Sequence, residues 1–469
     1  MGQYIVSLDI GTSSVRAAAF TQGGPTCVKA LPLLPHRQKA GCSEYEIGEL
    51  LSAARTVLHQ VLDEVGPAQV KALGISSQRS TIVLWDKNTG QVLGPILTWE
   101  DGRALEQAQQ ATISQEELHI FTGLYKTPYF SAPKITWMLT HLPQVRAAEK
   151  SGSLCAAPVT SFLIWKLTGG VVFSTDITLA QRTLLLDIQT GQWSDRLCNA
   201  FSISPSILPS LKASVDDYGT YSYKGVSIPI RACVADQQAA SSALKEGQMC
   251  INYGTGAFVL QHMGTQGTVL PGMLTSLAPS CPGGSLQYLL EGPVNAAGSA
   301  FLWLNTRGIK IDMNRLDDIC KESLHPLRIL PAIGGLGAPY WNFTLSPVIL
   351  GENAQTTRGD WAVGLVQGIC FLIADIVQYM RSHQVTIQGP IKVMGGLSKS
   401  DYLVQFQSDT LQQTLLRRQE VEATLLGVAR LLGYETLQNE ITSFQPKISS
   451  EKAGKLYWQW QQFVADNIK

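Results

Sequence analysis

Residues 4–20 read YIVSLDIGTSSVRAAAF, and residues 250–260 read CINYGTGAFVL. In the first stretch, two apolar runs rich in Val, Ile and Ala flank the polar turn Asp9-Ile10-Gly11-Thr12-Ser13-Ser14. That is the pattern of a strand, a tight turn and a returning strand. The second stretch repeats the plan around Gly254-Thr255-Gly256. One such hairpin in each half predicts an internal duplication, with a hairpin-led α/β domain on either side. The junction is expected near Lys245-Glu246-Gly247, giving domains of residues 1–244 and 245–469.

Working outward, residues 46–65 have helical periodicity and residues 72–76 form a buried-strand pattern. Residues 81–97 read as another hairpin, with a five-residue loop at 86–90. Residues 103–150 are expected to be largely helical, with Pro128 and Pro133 breaking the run. In the second half, residues 361–381 and 421–433 read as helices, and 391–394 as a buried strand ending at Gly395-Gly396. A final helix over 455–468 is expected to dock through Tyr457, Trp458, Trp460 and Phe463. Strands alternating with helices make the fold class α/β.

Composition narrows the function. The 469 residues carry 36 Lys+Arg against 36 Asp+Glu, so the net charge is zero, and only 15% of residues are charged. Such a chain has no long-range field to gather nucleic acid or an anionic membrane surface. Its 10 Trp, 14 Tyr and 13 Phe exclude a disordered protein. The nine cysteines include no C-x-x-C pair, which points to free thiols in a reducing compartment. Residues 361–380 approach the length of a membrane span, but Gln367, Asp375 and Gln378 interrupt them, so a buried core helix is expected. No signal-peptide pattern opens the sequence, and a cytoplasmic location follows.

The first turn offers hydroxyls and backbone amides that can hold phosphate without net positive charge. Gly11 gives the backbone its freedom there. Asp9 at the strand end would repel bare phosphate, which implies a divalent cation between them. Arg16 adds a guanidinium fork. The same residues also suit a plain polar hairpin. Two Gly-Thr turns in tandem domains favour the phosphate reading, one for each end of a triphosphate. Asp236, in Ala235-Asp236-Gln237-Gln238, lies between apolar residues and suits either a general base or a helix cap. Arg79 follows the buried strand, placed to bond a neutral polyol or to pair with Asp236.

The ordered motifs DxGT, QR, DQQAA, YGTG, GAPYW and GG resemble the sugar and polyol kinases of the FGGY type, and within them the glycerol kinases most. The resemblance spans nearly the whole chain. It implies two duplicated actin-like, ribonuclease H-like domains flanking a deep interdomain cleft. It further implies that ATP and Mg²⁺ are used to phosphorylate a terminal hydroxyl of a polyol. By resemblance, Thr12, Ser13, Ser14 and Arg16 contact the nucleotide phosphates, Thr255 and Gly298 continue that surface, and Gly396 and Ser400 lie near the adenosine. Arg79, Tyr129, Asp236 and Gln237 hold the polyol, with Ser80 beside them and Trp99 and Phe258 as the apolar wall. Asp236 is the base, and Asp9 holds magnesium through water.

Several positions depart from the family pattern. Ser80 stands where glycerol kinases usually have Glu; losing that acceptor costs about 1.5–3 kcal/mol, or about ten- to a hundredfold in affinity. Leu302 replaces a Gln, Met394 an Asp and Ser400 an Asn on the nucleotide side. Residues 221–226 lack the glycine-rich loop that binds an allosteric sugar bisphosphate in some relatives, so no such regulation is expected. Glycerol is the expected substrate, giving glycerol 3-phosphate. The alternatives are a larger polyol or ketose of the erythritol, xylulose or ribulose kind, or an inactive nucleotide-binding relative with a regulatory role. The partner is a small molecule, neither nucleic acid nor membrane; a homodimer is compatible with this reading.

Overall fold

The computed structural model describes residues 3–22, 24–36, 41–418, 422–434 and 441–468. Two mixed sheets organise the chain. The first contains β1 (Tyr4–Ile10), β2 (Ser14–Thr21), β3 (Gly24–Pro32), β4 (Val70–Ser77), β5 (Thr220–Tyr223) and β6 (Val226–Ala235), in the order β5-β6-β4-β1-β2-β3. The second contains β7 (Met249–Tyr253), β8 (Ala257–Gly264), β9 (Leu274–Leu277), β10 (Tyr288–Val294), β11 (Ile391–Met394), β12 (Leu415–Arg418) and β13 (Ile441–Phe444), in the order β9-β10-β8-β7-β11-β12-β13.

The sheets share one plan. In the first, β1 pairs antiparallel with β2 and parallel with β4, which pairs parallel with β6. In the second, β7 pairs antiparallel with β8 and parallel with β11, which pairs parallel with β12. Each half thus has antiparallel strands on one side of its lead strand and two parallel strands on the other, with a further antiparallel strand at that edge, β5 on β6 and β13 on β12. The predicted hairpins are the first two strands of each sheet.

Helices cover both sheets. α1 (Ile47–Val65) buries Leu50, Ala53, Ala54, Val57, Leu58, Val61 and Leu62, spaced along one face. The Glu46 side chain caps its start by accepting from the Glu49 amide, and Gly66, at φ 80°, ends it. α2 (Ser131–His141) begins where Pro133 was expected to break a helix. The proline occupies the first turn instead, where a backbone N–H would have no intrahelical partner. The 81–97 hairpin is present in reduced form: Ile82 pairs with Leu97 and Trp85 bridges to Val92, whereas Ile82–Asp86 pairs along its whole length with Leu154–Pro158. Pro95 in the returning limb has no N–H to donate to a ladder.

The remaining helices used below are α3 (Asp236–Ser241), α4 (Gly298–Thr306), α5 (Arg358–Ser382), α6 (Asp401–Leu411), α7 (Ala423–Leu431) and α8 (Ser450–Asn467). Residue 421, at the start of the predicted 421–433 helix, lies outside the described residues. α5 is long and apolar enough to cross a membrane, yet 94% of its most apolar window is buried in the second core. Its Asp375 accepts from the Tyr340 and Tyr457 hydroxyls and the Trp460 indole at 2.8–2.9 Å, which satisfies the carboxylate inside the protein. α8 docks through Trp460 and Phe463, with Trp460 stacked on Phe371. Trp458 is 59% exposed, against expectation, because it falls on the opposite side of the helix. All nine cysteines are free thiols.

α3 and α7 cross at the seam between the halves. A Cβ at Gly427 on α7 would lie 1.9 Å from the Ala239 carbonyl oxygen on α3. Gly427→Ala must therefore push apart two helices, one of which carries Asp236. It is expected to cost at least about 1–3 kcal/mol, read as a lowered midpoint in thermal or denaturant unfolding.

Candidate active site

Asp9, Arg79, Asp236 and Gly396 lie at or just beyond the carboxyl ends of parallel strands, where open α/β sheets place their ligands, and Thr12 and Thr255 lie in the two hairpin turns. At the first turn the Gly11 amide donates to the Ser14 carbonyl at 2.9 Å. Gly11 is not in the left-handed region. The packing there is close instead: a Cβ would sit 3.2 Å from the Ser14 oxygen, a tight contact that the turn would have to ease. Thr12 is fixed from several sides. Its hydroxyl accepts from the Trp99 indole at 3.0 Å, and its carbonyl accepts from the Tyr45 hydroxyl at 2.6 Å. Ser13 is exposed and Ser14 half-buried.

The second turn is braced by helix α4. The Gly298 amide donates to the Gly254 carbonyl at 3.0 Å, and the Ala297 and Ser299 amides donate to Thr255. A Cβ on Gly298 would lie 2.8 Å from the Gly254 oxygen, so helix and turn touch only because this residue is glycine. Thr255 is exposed beside them. Gly396 is also exposed, with open space around it, just after β11.

Asp9 is fully buried at the end of β1. The Ser76 hydroxyl donates to one carboxylate oxygen at 2.9 Å, and Arg16 bonds the other at 2.6 Å. The second arm of the Arg16 fork is taken by Glu422, just before α7, so both arms expected to meet phosphate rest on carboxylates. Among the described residues no cluster of three or more His, Cys, Asp and Glu side chains forms a metal site. A single carboxylate beside a turn of hydroxyls and amides nonetheless fits Mg²⁺, which keeps most of its waters and takes one or two protein carboxylates with phosphate oxygens.

Asp236 is the first residue of α3 rather than its cap; Ala235 occupies the cap position. Its carboxylate accepts from the Gln237 amide at 2.8 Å. Burial pushes its pKa up to about 6; Arg79 pulls it back down, and Asp9 raises it. A carboxyl that titrates near neutrality is suited to general-base work. Since only its ionised form takes a proton, kcat/KM is expected to fall as pH drops through about 6, measured as a pH–rate profile.

Arg79 is buried, and its guanidinium lies over the Phe258 ring, 5.6 Å from the centroid. Trp99 and Tyr129 meet with ring centroids 5.2 Å apart. Arg79, Tyr129, Trp99 and Phe258 are thus gathered as expected, with Asp236 near enough to act on Arg79 electrostatically. The guanidinium does not pair with Asp236, however. It donates to Glu291 on β10 at 2.9 Å, and Arg182 donates to the same oxygen at 2.6 Å. The Glu291 carboxyl is held down at about 2: burial opposes its charge, but the two arginines outweigh that. Its other oxygen, Oε1, and the Oε1 of Gln237 are buried without a hydrogen-bond partner among the described residues.

Two predicted residues have hydroxyls engaged elsewhere. Ser80 is buried at φ 63°, and its Oγ donates to the Arg182 carbonyl at 3.4 Å. Ser400 caps α6 by accepting from the Leu403 amide and donates to Asp317. Of the other departures, Leu302 is 65% exposed on α4, whereas Met394 is half-buried against a small apolar cluster.

Sequence reasoning missed four charged groups: Arg182, Glu291, Glu422 and Lys134. Lys134 is fully buried, with Nζ donating to the carbonyls of Tyr129 at 2.7 Å and Ser80 at 3.4 Å. Burial pulls its pKa down to about 7. A signal existed for Glu291: a lone acid inside the apolar run YLLEGPV is costly unless paired.

Residues 4–242 match the model of the N-terminal domain of the FGGY family of carbohydrate kinases, and residues 249–436 match that of the C-terminal domain. The chain is 32% identical to a glycerol kinase of Lactobacillus acidophilus, covering 98% of this chain and 97% of that protein. It is 33% identical to one of Mycoplasma mycoides, over 100% and 98% respectively. The crystal structure of Plasmodium falciparum glycerol kinase with ADP superposes with a TM-score of 0.90 at 27% identity, covering 99% of this chain and 98% of that one. With both domain models matched in order on the two repeats, the chain belongs to the FGGY family of carbohydrate kinases.

Proposed function

We propose that the protein transfers the γ-phosphoryl group of ATP to a terminal hydroxyl of a polyol, with glycerol the leading substrate. The observation that carries this reading is Asp236. It is a partly buried carboxyl with a pKa near 6, beside a buried arginine, an aromatic wall and unpaired buried acceptors suited to hydroxyl groups. The glycerol kinases named above supply the substrate class.

In the proposed reaction, Arg79, Tyr129 and Gln237 orient the polyol, and Trp99 and Phe258 shield its carbons. Asp236 accepts the proton of the terminal hydroxyl. That oxygen forms a bond to the γ-phosphorus as the bridging P–O bond to ADP breaks. Thr12, Ser13, Ser14, Thr255 and Gly298 meet the phosphates with hydroxyls and amides. Arg16 is released from Glu422 to take up phosphate charge. Gly396 and the Ser400 segment border the adenosine. Mg²⁺ held near Asp9 would neutralise phosphate charge. Phosphoryl transfer asks a protein chiefly for such positioning and electrostatics. The domains divide at 244/245 in this account, which fits the gap between the two matched family regions. A cytoplasmic site of action goes with a metabolic kinase whose most apolar helix is core.

Ser80 favours a second reading, a larger polyol or ketose in the space a Glu would fill. A coupled assay of ADP release across glycerol, erythritol, xylulose, ribulose and dihydroxyacetone separates them. Glycerol is expected to give the highest kcat/KM. Preference for a larger member would move the assignment to that substrate. No turnover on any, with ADP still bound, would contradict kinase activity.

A further inference from the structure

Arg79 and Arg182 belong to the region matched by the N-terminal family domain, and Glu291 to the region matched by the C-terminal one. All three side chains are at most 3% exposed, and both arginines donate to the same Glu291 oxygen. Ser276 on β9 donates to that oxygen too, at 2.9 Å, which backs the carboxylate from within its own sheet. Glu291 lies opposite Leu260, and Pro293 opposite Phe258, in the pairing of β8 with β10. Glu291 and Phe258 therefore share one face of the second sheet. That face both stacks on Arg79 and bonds it.

A guanidinium is planar, and anchoring one nitrogen fixes the direction of its remaining N–H groups. Here the anchor for the polyol-site arginine stands on the opposite domain. The charges also close across the seam: two guanidiniums face the carboxylates of Glu291 and Asp236. Separating the halves would strand both arginines without Glu291 and remove Phe258 from Arg79. We infer that Glu291 is a positioning residue that clamps Arg79 from the second domain. The polyol site is then complete only when the domains are together, and polyol and nucleotide binding are coupled through it. This rests on reading the cleft as the polyol site.

The test compares wild type with Glu291→Gln in the full chain, using the best substrate of the panel. The clamp predicts a polyol KM raised by at least about tenfold, with kcat falling by less than KM rises. ADP affinity measured without polyol should be unchanged, whereas the tightening of ADP binding by polyol should be lost. A purely structural role would instead lower the melting temperature, leave KM in place and preserve the tightening; that result overturns the clamp. If Glu291→Gln does not fold, Glu291→Asp keeps the charge but shortens the reach. It should shift KM in the same direction, and an unchanged KM overturns the clamp. Absence of wild-type turnover on the panel would sink the polyol-site reading itself, so the two failures are distinguishable.

Discussion

Asp236→Asn is expected to lower kcat by about 10²–10⁴-fold, the usual contribution of a positioned general base, while ADP binding stays near that of wild type. The substitution keeps the shape of the side chain at the start of α3. It removes the carboxylate oxygen proposed to accept the hydroxyl proton, together with the negative charge that faces Arg79. The carboxyl is matched to that task because burial has raised it to about 6. The proposed nucleotide contacts lie on the two turns and beyond β11, so they are not expected to change. Rapid-quench turnover and equilibrium ADP binding check the two halves of this expectation. Retained turnover would remove the base assignment. Lost ADP binding would mean that Asp236 shapes the nucleotide site instead.

Ser80→Glu is expected to lower the KM for glycerol by about ten- to a hundredfold, because a carboxylate acceptor adds a charge-assisted hydrogen bond of about 1.5–3 kcal/mol. The surroundings can carry the added charge. Arg79 and Arg182 are close, and Lys134, titrating at about 7, donates to the backbone of residue 80 itself. Steady-state kinetics on glycerol and on the larger panel members read the outcome. A gain for glycerol with a loss for larger substrates supports a glycerol site tuned weak by Ser80. A loss for glycerol assigns the pocket to a bulkier substrate.

Much of this was legible in the sequence because it is local. Each hairpin is a few residues of apolar alternation around a Gly-Thr turn, and both lead their sheets as expected. Asp236, Arg79, Tyr129, Trp99 and Phe258 sit on or beside recognisable motifs and come together. What was not legible depends on distant partners. Arg79 and Glu291 are 212 positions apart, and Arg16 and Glu422 are 406 apart. No local pattern announces such pairs; the arginine was legible, but its partner was not. Gly11 shows the converse. The glycine was expected for its backbone freedom, yet its φ is ordinary and what sets it apart is a tight approach to the Ser14 carbonyl. The zero net charge fits this picture, since charges at the site are met by local partners, some of them across the seam, rather than spread as a field.

Phosphoryl transfer itself is read by ³¹P NMR of wild-type protein with ATP, Mg²⁺ and glycerol. The γ-phosphate resonance is expected to be replaced by that of glycerol 3-phosphate, in step with ADP. Unchanged ATP, or inorganic phosphate as the only new product, would contradict it.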